Sequence, residues 1–166
     1  PIFTRSESES FDYQDKIVFE AGKEFRFFDM RGLNVVGENI LTSDRVEDGY
    51  EVVLRKERIN NYVSYLYRKD INGNFVIDCY DMEVEECATK GDYAYVYFTL
   101  ASPNPIEDKS VYITGAISDW ELKPEFKMTY NESQQLYEAE VILKQGYYNY
   151  QYTLVDDKAG KRDDNY

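Results

Sequence analysis

VYITGAISDW, residues 111–120, and LYEAEVILKQGYYNYQYTL, residues 136–154, decide the fold. The first alternates outward and inward side chains. It breaks at Gly115 into a short loop that ends on Trp120, the single tryptophan of the chain. The second reads as one strand, a tight corner at Gln145-Gly146, and a second strand. Alternation at period two marks half-buried strands, and glycine supplies the corner.

Outward from this unit the same grammar continues. YAYVYFTL (93–100) is a strongly alternating strand, and SPNPIEDK (102–109) is a proline-containing loop. Further strands are expected at KIVFE (16–20), EFRFFDM (24–30), NVVGENIL (34–41), YEVVLRKE (50–57), YVSYLYRK (62–69) and NFVIDCY (74–80). Residues 1–15 read as an extended polar arm, and the tail from Asp156 as loose. Asn72-Gly73 is the clearest hairpin signal, because both residues accept the positive φ of a type I′ turn. A calcium loop is excluded there: an EF-hand places its glycine sixth and a bidentate glutamate twelfth. Here Gly73 is fourth from Asp70, and Asp81 is twelfth. No segment shows a convincing 3.6-residue period. The polar segment 83–92 is the expected boundary between two lobes, 1–88 and 89–166. The fold class expected is all-β: two immunoglobulin-like β-sandwich lobes, the second of early-set type.

Composition bounds function. The 17 tyrosines and 9 phenylalanines of this 166-residue chain favour strands, whose pleated surface a ring covers while its hydroxyl reaches water. Thirty-two acidic against 19 basic residues give a net charge of −13. That balance argues against nucleic acid and against anionic membranes, both of which reward lysine and arginine. It leaves a basic partner as the electrostatic alternative to mere solubility. No run of eighteen apolar residues suggests a membrane span.

Catalytic signatures are missing from the sequence. With no histidine, the commonest general base and metal ligand is absent. No nucleophile elbow, glycine-rich phosphate loop or zinc-protease motif occurs. Glu85-Glu86 and Asp156-Asp157 are adjacent, and neighbours on a strand point to opposite faces. Cys79 and Cys87 flank an acidic segment and fit either a short disulfide or two buried thiols. Two cysteines without a second pair do not complete a zinc site. No enzyme activity, cofactor or metal is expected.

Two resemblances follow from these residues. Gly115, Trp120, Gly146, Tyr148 and Tyr150 fit the frame of early-set immunoglobulin-like sandwiches of the glycogen-binding type. In such carbohydrate binders a loop tryptophan stacks on a sugar ring, so Trp120 is the candidate stacking residue of a carbohydrate-binding module. Gln151 stands where those modules carry lysine, and no second tryptophan follows Val155-Asp156.

Wider coverage, about 19–154, belongs to a second likeness. AGKEFRFFD, DINGNF, DYAYVYF and LKQGYYNY resemble the recurring strings of the type IX secretion system plug protein family. Lys23 departs from the asparagine usual there. The resemblance implies a non-enzymatic periplasmic protein of several β-sandwich domains, occluding the outer-membrane translocon pore when no substrate is in transit. Members are longer at both ends, so this chain would be a middle-to-C-terminal piece whose signal peptide lies upstream. The implied partner is the pore protein. Tyr147, Tyr148, Tyr150 and Tyr152 cannot all face one core, so the set left outside either covers the neighbouring lobe or is the candidate partner-binding surface.

Overall fold

The computed structural model describes residues 25–58 and 71–164. The expected strands at 16–20 and 62–69 and the arm at 1–15 lie outside these residues. The described chain is an all-β sandwich of two sheets with one short α-helix and two single-turn 3-10 helices.

The first sheet is assembled around a single long strand. In chain order the elements needed are β1 (Arg26–Asp29), β5 (Phe75–Ile77), β7 (Lys109–Thr114), β10 (Gly146–Asp156) and β11 (Arg162–Asp164). β10 pairs antiparallel with all four others. Its first half takes β1 and β5, with Tyr148 opposite both Phe28 and Phe75. Its second half takes β7 and β11, with Thr153 opposite Tyr112 and Asp164.

The second sheet has the order β2-β3-β6-β9-β8, from Ile40–Val46, Gly49–Leu54, Tyr93–Ala101, Leu136–Lys144 and Thr129–Asn131; the two-residue β4 (Glu57–Arg58) also pairs with β6. β3 and β6 run parallel, whereas β6 and β9 run antiparallel from Tyr93↔Lys144 to Ala101↔Leu136.

Period two sorts the side chains of the second sheet. Ala94, Val96, Phe98 and Leu100 of β6 are buried, facing Val52 and Leu54 of β3 and Val141 and Leu143 of β9 on the same inner side. Phe28, Tyr148, Tyr150, Tyr152 and Leu154 of the first sheet close the core from across. Phe28 stacks on Tyr148 with centroids 5.2 Å apart and meets Phe98 edge-on at 5.7 Å. One charged pair enters this interior: Arg26 of β1 contacts Glu57 of β4, lies over the Tyr152 ring at 4.8 Å, and Tyr150 donates its hydroxyl to Glu57 Oε1 at 3.1 Å.

The sequence boundary at 88/89 is corrected by these pairings. Strands from both segments share both sheets and one core, since β1 and β5 pair with β10 and β3 pairs with β6. Two local strand expectations shift as well. Residues 34–39 form a loop in which Gly37 passes so close to the Asp29 carbonyl oxygen that a Cβ there would overlap it. The neighbouring polar residues TSDRV instead continue β2, a sheet-edge strand that leaves Leu41, Thr42, Asp44 and Arg45 exposed. The tail also carries a short strand, β11.

The helix is the second correction. Val84–Lys90 forms α1, two turns whose length is too short to display a period. Glu85 and Glu86 sit in its first turn and Lys90 in its last, which suits the helix dipole, and Lys90 reaches Glu86 at 2.7 Å. A Cys79–Cys87 disulfide, with Cα atoms 5.6 Å apart, ties the helix to the segment after β5. Both cysteines are buried. Reduction should therefore lower stability by about 2–3 kcal/mol, the loop-closure entropy of so short a ring. Urea unfolding with and without dithiothreitol checks this; an unmoved midpoint would mean the two sulfurs are not bonded.

The turn at 71–74 is as expected. Asn72 and Gly73 have φ of 54° and 75°, and Asn74 N–H donates to the Ile71 carbonyl at 3.1 Å.

Candidate functional site

The tyrosines of β10 do not form a surface. Tyr148, Tyr150 and Tyr152 point into the sandwich and are 1–2% exposed. Burial pushes the Tyr150 and Tyr152 hydroxyls well above their ordinary pKa, with the Glu57 carboxylate adding to it. The alternate residues are no more accessible: Asn149, Gln151 and Thr153 are buried too. Asn149 accepts from Ile71 N–H at 2.8 Å and donates to the Arg26 carbonyl at 3.3 Å, while Thr153 and Thr114 share a 2.6 Å hydrogen bond. A central strand paired on both sides and covered on both faces has no docking face. Tyr147 alone of the four is half-buried. It stacks on Phe27 at 5.6 Å and lies 5.8 Å from the Arg31 guanidinium.

Arg31 belongs to a structural cluster. It grips Asp29 through Nε (3.0 Å) and Nη2 (2.6 Å), while the Tyr80 hydroxyl donates to the same carboxylate at 2.8 Å. Burial raises the Asp29 carboxyl, but these bonds outweigh it and hold the group below its ordinary range.

Trp120 is placed by an unusual loop. Asp119 and Trp120 both adopt left-handed φ, 55° and 60°, a conformation that bulky residues avoid. Trp120 N–H donates to the Gly115 carbonyl at 2.9 Å, and Ala116 N–H donates to the Gly73 carbonyl at 2.8 Å. The indole thereby lies against Gly73, where an added Cβ would overlap it. The ring remains 42% exposed. Phe25 stands beside it at 5.9 Å, but perpendicular at 79°, so the two rings do not make one flat platform.

A different surface emerges on the outer face of the second sheet. Tyr93, Tyr95 and Tyr97 alternate with the core residues of β6 and therefore point out. Register places Ile142 beside Tyr95, Glu140 beside Tyr97 and Lys144 beside Tyr93 on one flank. On the other flank, Glu51 lies beside Tyr95 and Val53 beside Tyr97. Asp44 and Thr42 of β2 extend the two rows. Ile142 is 58% and Tyr93 56% exposed, a level at which neither contributes to the core. Burial and the adjacent Glu140 carboxylate both push the Tyr97 hydroxyl above its ordinary pKa.

Sequence reasoning passed over this face, although its signal was present. YAYVYFTL alternates tyrosine with smaller or aliphatic residues, so one side of that strand had to be a row of tyrosines.

Among the described residues, no helix is long and apolar enough to cross a membrane, and no three histidine, cysteine, aspartate or glutamate residues gather as a metal site. No protein-family model matches the chain, and no curated protein does. A solved structure does: a hypothetical protein from Parabacteroides merdae ATCC 43184, at 34% identity and a TM-score of 0.78 over 86% of this chain. The chain spans 35% of the length of that protein.

Proposed function

We propose that this chain is part of a non-enzymatic interaction protein, a periplasmic plug that occludes the pore of a type IX secretion translocon. The observation that carries the reading is the run of matching strings over 19–154, above all LKQGYYNY at 143–150. In three dimensions that string is scaffold: Gln145 ties its corner to Asp92 and Arg31, and Tyr148 and Tyr150 fill the core. It supports kinship of fold and leaves the docking surface to be found elsewhere. A buried disulfide suits an oxidising compartment such as the periplasm. A plug needs a shaped surface and no reacting groups, which agrees with a histidine-free chain.

The test is affinity capture of the full-length tagged protein from its own cell envelope, followed by mass spectrometry. Recovery of the large outer-membrane pore protein is expected. Its absence from captures that retain intact tagged protein would overturn the plug reading.

Sugar binding is the second reading, and one observation favours it: the exposed Trp120 ring with Phe25 beside it. A glucan array probed with wild type and Trp120→Ala separates the two. Array binding that depends on Trp120, with no pore protein captured, would put the sugar reading in first place.

A further inference from the structure

We infer that the outer face of the second sheet is a docking surface for a protein partner presenting lysine and arginine. The inference names the surface and the partner chemistry of the interaction protein proposed above, and rests on that reading. Three tyrosines in a row, flanked by Ile142 on one side and Val53 on the other, supply the broad aromatic and aliphatic contact area that anchors protein interfaces.

Charge decides the occupant. Asp44, Glu51, Glu138 and Glu140 stand on this face, and none of the four makes a salt bridge among the described residues. Glu138 is met by the Asn131 amide at 3.3 Å and Glu140 by the Tyr97 hydroxyl, both neutral partners. The cations of these strands lie at the two ends, apart from Arg45 of β2, which is paired with the buried Tyr50 and so belongs to the other side of the sheet. Lys144 is engaged with the Ala88 carbonyl at 2.9 Å and the Tyr93 ring at 5.1 Å, and Arg58 ends the sheet beside Ala101, with exposed Arg55 following β3. Among the described residues the middle of the face is thus aromatic, with carboxylates that no cation neutralises.

A second copy of the chain is a poor occupant, because a two-fold contact would set carboxylates against carboxylates. A cationic surface meets the same groups with opposite sign, gains steering at long range, and can lay guanidinium groups on the tyrosine rings.

The test places a photo-cross-linking phenylalanine derivative at Ile142 of the full-length protein in the cells that make it. A control carries it at Val36, 55% exposed in the loop between β1 and β2. The cross-linked peptide is then sequenced. Expected is a partner peptide rich in lysine and arginine, joined at 142 and not at 36. Combining it with Glu51→Lys and Glu140→Lys should cut the yield about tenfold, as reversal of steering charges does. Both glutamates point outward, so the melting curve of that variant should match wild type. No cross-link at 142, a cross-link within the same chain or to a second copy, an acidic or neutral partner peptide, or a yield indifferent to charge reversal would each overturn the inference. Pore protein still captured by the charge-reversed variant keeps the plug and removes this face. A basic partner other than the pore keeps the face and removes the plug.

Discussion

Phe28→Ala should destabilise the protein by about 3–5 kcal/mol, the usual cost of emptying a buried aromatic position. The ring is fully buried and touches three others: Tyr148 stacked at 5.2 Å, Phe98 at 5.7 Å and Tyr150 at 5.8 Å, both edge-on. These partners come from β6 and β10, in different sheets, so no single strand can shift to fill the hole without breaking its register. A domain of this size has roughly 5–15 kcal/mol in all, so one side chain carries a large share. Urea unfolding followed by tyrosine fluorescence reads the loss directly. A change below about 1 kcal/mol, the scale of a volume-conserving swap, would mean the ring is not where the structure places it.

Arg26→Met should cost about 3 kcal/mol at neutral pH, the lower end for a broken buried ion pair, because some solvent still reaches Glu57. The side chains of Arg26 and Glu57 are 11% and 20% exposed. Burial raises the Glu57 carboxyl above its ordinary pKa, and Arg26 is the leading influence pulling it down. Without Arg26 it rises further. For an acid whose folded pKa lies above its unfolded value, the stabilising contribution is complete below the unfolded pKa and lost as pH rises through the folded one. The deficit of Arg26→Met relative to wild type should therefore shrink as pH falls from 7 towards about 4.3, the unfolded glutamate value. Comparison with wild type at each pH matters because Asp29, with its lowered pKa, acts in the opposite sense and loses stability on acidification. The double variant Arg26→Met/Glu57→Gln should recover most of the loss at pH 7. A deficit that stays constant with pH, or persists in the double variant, would show that Arg26 acts by packing alone.

The legible part of the fold was local. Alternation in 93–100 and 136–154 placed β6, β9 and β10 closely, and Asn72-Gly73 fixed a turn, because period and turn chemistry are properties of neighbouring residues. Sheet membership was not legible. Phe28 lies opposite Tyr148 across 120 positions, and nothing in either segment names the other. Two lobes were therefore expected where two sheets share their strands.

The site was misread for a related reason. Period two put one set of the 147–152 side chains outside a half-buried strand, but β10 is covered on both faces, Asn149, Gln151 and Thr153 included. Hydrogen bonds to Ile71, Arg26 and Thr114 let the first and last of these be buried at little cost. The tyrosines opposite them then became core. On β6 the logic ran the other way: Ala94, Val96, Phe98 and Leu100 already satisfy the core, so the tyrosines were left outside.

The reliance of the first sheet on β10 sets an order in time. Among the described residues β1 and β5 pair with no other strand, and β7 and β11 take their ladders from it as well. As the chain emerges from its amino end, β1 must wait for Gly146–Asp156 before it meets a strand to pair with among the described residues. Pairings of such long sequence separation make folding slow, and they leave bare strand edges exposed until the last partner arrives. A chain stopped just short of residue 146 would keep the β2-β3 hairpin, with β6 and β9 available to join it, but among the described residues no first sheet. Its inner apolar face would be open to water, the condition under which β proteins aggregate.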